Sequence, residues 1–352
     1  MLLAEAQRRC IRLAHRHGEN FTVLSLLAPR ALRTHLAVVY AYCRAVDDLG
    51  DEGRLPPELA SGGSLKRSAL PATAPRAIRP ELDPSGSLKR SAHTHVMPRA
   101  SLPQDLADGD ARAVPPGAER LALLGAFERE LDLAWAGEPR SPLFVALAAA
   151  VRELDLPKEP FLRLIEANRI DQTTARYATY ADLLRYCEHS ATPVGRLVLG
   201  IYGVHDEEAA RLSDATCTAL QLANFWQDVR RDFAMGRIYL PQEDMVRFGI
   251  TEADLAADRG SEAFRRLLEF EVGRTRALFA EGLPLVDRVS GHLRVDLALF
   301  SRGGLAILDK IESQGYDTVV RRPSLSRADK GRIFLLAVAR PRHGRAQRGR
   351  SE

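Results

Sequence analysis

Apolar residues return every three or four positions through most of this chain, the spacing of amphipathic helices. The pattern predicts helices over Leu2 to His17 and Ala31 to Leu49, and another from Ala118 through the segment ERLALLGAFERELDLAW. Two more follow, over SPLFVALAAAVRELD with Pro142 near its start and over Pro160 to Arg169. A long apolar helix comes next, interrupted by Pro193 and Gly195. After a central polar-striped segment, Glu262 to Val286 and Val295 to Gln314 complete the set, with Gly303 and Gly304 inside the second. The expected fold is all-α: a single-domain helical bundle around a central cavity, built from residues 1–52 and 118–335.

Residues 53–117 break the periodicity. They hold many of the prolines and a near-duplicate, SGGSLKRSA and SGSLKRSA, and such a composition cannot bury enough apolar area to offset the entropy of ordering it. A disordered low-complexity insertion is predicted there, with His93 and His95 as solvated loop residues rather than a metal pair. Residues 336–352 form a basic tail, whose last thirteen residues, RPRHGRAQRGRSE, include five arginines and no apolar period. Disorder is expected there too, with contact to anionic membrane lipid as a secondary reading.

The chemistry concentrates in LQLANFWQDVRRDFAMGRIYLP, residues 220–241. Gln221, Asn224, Asp228 and Asp232 stand three and four residues apart, so a helix projects them from one stripe, while Leu222, Phe225, Trp226, Val229 and Phe233 fill the positions between. Carboxylates facing a cavity repel one another and lose hydration, and a bound divalent cation relieves both. Far upstream, YAYCRAVDDLGDE carries Asp47 and Asp51 four residues apart behind Tyr40 and Arg44. One Asp-x-x-x-Asp is ordinarily a solvated helix face. Two of them, flanked by Arg, Asn, Gln and Tyr, are better suited to Mg²⁺ ions that take their remaining oxygens from a substrate's phosphates. Arg44, three residues before Asp47, can fork onto a phosphate or pair with Asp47 or Asp48, and Asp48 is expected to face outward.

Composition narrows the classes further. The chain has 352 residues, 45% hydrophobic and only 6% aromatic, so the core must lean on Leu, Ala and Val. The formal charge of +4 is gathered in the insertion and the tail without a recognition motif, which excludes a nucleic-acid surface. Cys10, Cys43, Cys187 and Cys217 lack any finger or Cys-x-x-Cys spacing and read as reduced thiols. The N-terminus turns charged too early for a signal peptide, and no window reaches the ~20 apolar residues of a membrane span. A cytoplasmic protein is expected, with peripheral contact at the inner face of the membrane as an open option.

Four stretches resemble the squalene/phytoene synthase family, the head-to-head branch of the isoprenoid synthases: ENFTVLSLLAPRALRTHLAVVYAYCRAVDDLGDE, RYATYADLLRYCEHSATPVGRLVLGIYG, QLANFWQDVRRDFAMGRIYLP and, weakly, LAILDKIESQGYDTVVRRP. NFWQDVRRD and YCEHSATPVGRLVL are most similar to the bacterial hydroxysqualene synthases of hopanoid pathways. The resemblance implies an isoprenoid-synthase bundle with Mg²⁺ on Asp47, Asp51, Asn224, Asp228 and Asp232. It implies substrate contacts from His17, Gly18, Asn20, Phe21, Tyr40, Arg44, Gln221, Gln227, Arg237, Tyr239 and Arg321. Tyr186 would lie near the reacting carbons, and Ser190, Ala191 and Gly195 would either open room for a prenyl chain or allow close helix packing. The implied reaction turns presqualene diphosphate into hydroxysqualene, coupled to the enzyme that forms this diphosphate and to a hydroxysqualene reductase. Condensation of two farnesyl diphosphates, or of two geranylgeranyl diphosphates to phytoene, is the alternative in the same fold. A non-catalytic helical assembly protein is the alternative from another class.

Overall fold

Capping residues and prolines set where the helices of this computed structural model begin, and it describes residues 2–17, 28–59 and 117–339. Fourteen α-helices lie among these: α1 (Leu3–His17), α2 (Arg30–Glu52), α3 (Gly117–Trp135), α4 (Pro142–Leu154), α5 (Glu159–Ile170), α6 (Tyr180–Ser190), α7 (Thr192–Ile201) and α8 (Glu207–Ala234). The rest are α9 (Gln242–Phe248), α10 (Glu252–Ala256), α11 (Glu262–Gly282), α12 (Leu285–Arg288), α13 (Gly291–Ser313) and α14 (Arg327–Val338). Pro142 and Pro160 sit in the first turns of α4 and α5, where a missing N–H leaves no bond unmade. The expected interruption is real: α6 stops at Ser190 and α7 restarts at Thr192 with Pro193 in its first turn. A Cβ on Gly195 would fall 2.5 Å from Ser213 Oγ and 2.6 Å from Cys217 Sγ. At Gly195 the small side chain therefore serves close packing of α7 on α8, not room for a ligand.

Two apolar clusters flank the middle of the bundle. One joins α1 to α5 around the rings of Tyr42, Phe127, Phe144 and Phe161, with the Tyr42 hydroxyl donating to the Phe161 carbonyl at 2.9 Å. The other centres on the fully buried Trp226 of α8, whose indole N–H donates to Thr275 Oγ1 of α11 at 2.8 Å. Helix α2 belongs to the first cluster and most of α8 to the second.

The differences from the sequence reading are local. Residues 53–59, expected inside the insertion, are packed: Leu59 is buried in the first core and Glu58 accepts from Arg16 at 2.8 Å. The remainder of the insertion, residues 60–116, lies outside the described residues, as does the tail from residue 340, although residues 336–338 extend α14. Helix α8 ends at Ala234, so the last part of the 220–241 stretch is not helical. Helices α9, α10 and α14 were not expected; the first two are five to seven residues long, too short to show a period. Among the described residues the four cysteines are free and no helix is long and apolar enough to cross a membrane.

Candidate active site

Helix α2 carries Tyr40, Arg44, Asp47 and Asp51 at steps of four, three and four, hence along one face, while Tyr42 points into the core. Between the two acids, Gly50 lets α5 come close: a Cβ there would fall 2.1 Å from Asn168 Oδ1. That approach lets Asn168 donate to Asp47 Oδ1 at 3.2 Å and Gln172 donate to the Gly50 carbonyl at 3.0 Å. Asp47 is exposed, yet crowding of its carboxyl by the surrounding protein pushes it up to about 6, against the Asn168 hydrogen bond and with Asp51 adding repulsion.

Helix α8 presents Gln221, Asn224, Asp228 and Asp232 on its own stripe, with Asn224 exposed. Desolvation, reinforced by Asp228, pushes the Asp232 carboxyl up to about 7 despite Arg231, Arg237 and Arg322 nearby. After α8 the chain turns at Gly236, whose φ of 82° favours glycine, and runs extended beside residues 175–178. The Ile238 N–H bonds the Ala175 carbonyl at 2.9 Å and the Gln242 N–H the Tyr177 carbonyl at 2.9 Å. The two-residue period of extended backbone then puts Arg237 and Tyr239 on one side. Arg237 donates to Asp51 Oδ1 at 3.2 Å and its charge also acts on Asp171 and Asp232. Burial works against the guanidinium charge, but Asp171, Tyr239 and Asp51 outweigh it and hold it cationic. The two acidic helices thus meet across one arginine.

Tyr186 sits in an aromatic group, its ring centroid 5.5 Å from Tyr177, 6.0 Å from Tyr239 and 6.2 Å from Phe225; Phe225 and Tyr239 stack at 3.8 Å. Its hydroxyl donates to Asp171 Oδ2 at 2.9 Å. Burial is the main reason the Asp171 carboxyl rises to about 6, and Arg237 opposes it. Burial likewise keeps all three phenols protonated.

Several expected positions differ. Arg321 points away, to Gln314 Oε1 at 3.3 Å, and its neighbour Arg322 instead forks onto both oxygens of Asp228. Gln227 is buried and donates to the Pro323 carbonyl at 2.6 Å, which anchors the Arg322 segment rather than facing the acids. Arg44 pairs with Asp48 at 2.5 Å, and Asp48, expected to face outward, is largely covered because residues four apart share a helix side. Tyr40 is half-buried beside Arg44, Asp48 and Asp47. His17 ends α1, and Gly18, Asn20 and Phe21 lie outside the described residues. Sequence reasoning missed Asn168, Asp171, Gln172, Tyr177, Phe225 as a ring partner, and Arg322. Asn168, Asp171 and Gln172 do carry a signal: two polar residues stand three and four positions after Asn168, just past the end of α5.

Among the described residues no three carboxylate, imidazole or thiol groups gather closely enough to hold an ion by themselves. The donor set still suits a hard cation: it is all oxygen, and Asp47 and Asp232 are desolvated carboxylates that a cation would relieve. Mg²⁺ ordinarily takes one or two carboxylates and fills its other positions with water and phosphate oxygens. A cavity of about 410 Å³ lies elsewhere, lined by Tyr202, Val204, Arg288 and Leu293 near the start of α8. That is about 30 Å along the helix from the acids.

The sequence profile described as squalene/phytoene synthase matches residues 14–109 and 104–329. The chain is similar to a solved structure titled squalene synthase HpnC from Alicyclobacillus acidocaldarius, at 43% identity and TM-score 0.68, over 89% of this chain and 95% of that one. It is 34% identical to a phytoene synthase from Thermus thermophilus, over 62% of this chain and 76% of that protein. To the 15-cis-phytoene synthase of Synechococcus elongatus it is 26% identical, over 91% and 88%.

Proposed function

Because the chain belongs to the squalene/phytoene synthase family, we propose that it converts presqualene diphosphate to hydroxysqualene, a carbon–oxygen lyase step in squalene and hopanoid formation. The observation that carries this is the meeting of the two acidic helices at Arg237, beside a buried aromatic group that holds one carboxylate. A diphosphate fits the first part and a carbocation the second. The 43% identity to the squalene synthase HpnC supports the hopanoid branch.

In this reading Asp47, Asp51, Asn224, Asp228 and Asp232 would hold Mg²⁺, which when bound neutralises charge on the leaving diphosphate. Arg237 and Arg322, now paired with Asp51 and Asp228, reach the same region and supply further positive charge to phosphate oxygens. Departure of diphosphate breaks the carbon–oxygen bond and leaves a cation on the prenyl skeleton. The faces of Tyr186, Tyr239, Tyr177 and Phe225 attract a cation and exclude bulk water, while Asp171 adds a negative charge at their edge. Peripheral contact with the inner face of the membrane, where such lipids reside, belongs to the same proposal, as does coupling to the enzymes before and after it.

The phytoene synthase relatives favour a second reading, head-to-head condensation of two prenyl diphosphates. Incubation of the purified chain and Mg²⁺ with each candidate diphosphate, followed by mass spectrometry of products, separates the two. Presqualene diphosphate should give a tertiary alcohol without a nicotinamide, and farnesyl diphosphate alone little product. A cyclopropyl diphosphate from farnesyl diphosphate, or phytoene from geranylgeranyl diphosphate, would overturn the proposal.

A further inference from the structure

The proposed reaction ends when one water attacks a tertiary carbocation inside a pocket that otherwise excludes water, so something must hold that water. Asp171 directly follows α5 at its C-terminal cap, where the Asp171 N–H bonds the Ala167 carbonyl at 3.0 Å and the backbone fixes its direction. The Tyr186 hydroxyl occupies its Oδ2 at 2.9 Å. Its Oδ1 is buried and has no hydrogen-bond partner among the described residues, and neither has the buried hydroxyl of Tyr177. Tyr186 links the two groups: its hydroxyl sits on Asp171 and its ring centroid lies 5.5 Å from that of Tyr177. The rings of Tyr177, Tyr186 and Tyr239 have centroids 5.5 to 6.0 Å apart, and Phe225 closes the group against Tyr239.

A buried polar atom without a partner is costly, so two of them at one aromatic group ask for a shared ligand. One is an acceptor and the other can donate or accept, which is what a water needs to be held by two partners. We propose that Asp171 Oδ1 and the Tyr177 hydroxyl hold the water that quenches the cation, and that Asp171 takes its proton. This rests on the presqualene diphosphate reading. The bond formed joins the water oxygen to the cationic carbon, the bond broken is one O–H of that water, and the proton passes to Oδ1. Tyr186 acts as a positioning residue: by filling Oδ2 it leaves Oδ1 as the free acceptor.

The test uses the full chain with presqualene diphosphate and Mg²⁺ in ¹⁸O-water, with alcohol and oxygen-free hydrocarbon products quantified by mass spectrometry. The wild type should give labelled alcohol. In Asp171→Asn the cation persists until it loses a proton, so the ratio of hydrocarbon to alcohol should rise at least about tenfold, with Asp171→Glu recovering part of the alcohol. Tyr177→Phe should move the ratio the same way by less, and it decides the matter if Asp171→Asn fails to fold. An unchanged ratio in folded Asp171→Asn, or in Tyr177→Phe when that variant alone folds, overturns the assignment while leaving the parent reading intact. A wild type that makes no alcohol from presqualene diphosphate overturns both.

Discussion

Asp232→Asn should make the protein more stable and less useful. The Asp232 carboxyl is held at about 7 against an ordinary 3.8, chiefly by desolvation and secondly by Asp228. Taken at face value that difference corresponds to about 4 kcal/mol between its two protonation states. Asp232 keeps partial contact with water, so the realised penalty is about 1–2 kcal/mol. The sign follows from linkage: the folded-state value lies above the unfolded one, so the folded state binds the proton more tightly. The penalty is therefore absent below pH 3.8, grows between 3.8 and about 7, and is complete above that. Asparagine has nearly the same shape and never ionises. Without Mg²⁺ at pH 8, the variant should melt about 2–5 °C higher than the wild type, and the gap should shrink by roughly half at pH 5.5. Mg²⁺ with inorganic diphosphate should raise the wild-type melting temperature more than the variant's, by mass action on the folded state. Differential scanning fluorimetry across pH, with and without the ions, reads all three effects. A variant that melts below the wild type at pH 8, or a gap independent of pH, would refute the reasoning.

Asp228→Asn should lower turnover by on the order of 10²-fold or more with the fold intact by circular dichroism, since it weakens charge neutralisation at the leaving group; unchanged turnover at saturating Mg²⁺ would remove Asp228 from the site. Gly304→Ala places a Cβ 2.3 Å from the Phe279 ring and 2.9 Å from Leu220 Cδ2, and overpacking of this kind should cost about 1–3 kcal/mol in urea unfolding. Excising residues 61–110 should leave melting temperature and turnover nearly unchanged, because shortening a loop changes its closure entropy by only tenths of a kcal/mol to about 1 kcal/mol; a large loss of either would show that the insertion packs on the bundle.

The helices and both acidic stripes were legible because each depends on residues three to eleven positions apart, a distance over which helix geometry is fixed locally. Asp47 with Asp51, and Asp228 with Asp232, needed no partner to be recognised. Arg237 and Tyr239 were expected at the pocket, although the extended backbone that puts them on one side is held by hydrogen bonds to residues 175–178, some sixty positions earlier. Arg321 was expected from the resemblance, whereas Arg322, next to the Pro323 carbonyl that Gln227 holds, is the one that reaches Asp228.

By itself the sequence determined the fold class and the two carboxylate stripes, since local periodicity and charge are properties of short segments. Only the tertiary structure decided which side chains share the space between the stripes. Asn168 reaches Asp47 because Gly50 lets two helices touch, and Asp171 reaches Tyr186 because α6 folds back on α5. Such contacts arise from how helices pack, which depends on the shapes of both surfaces at once. No periodicity within a single helix records both.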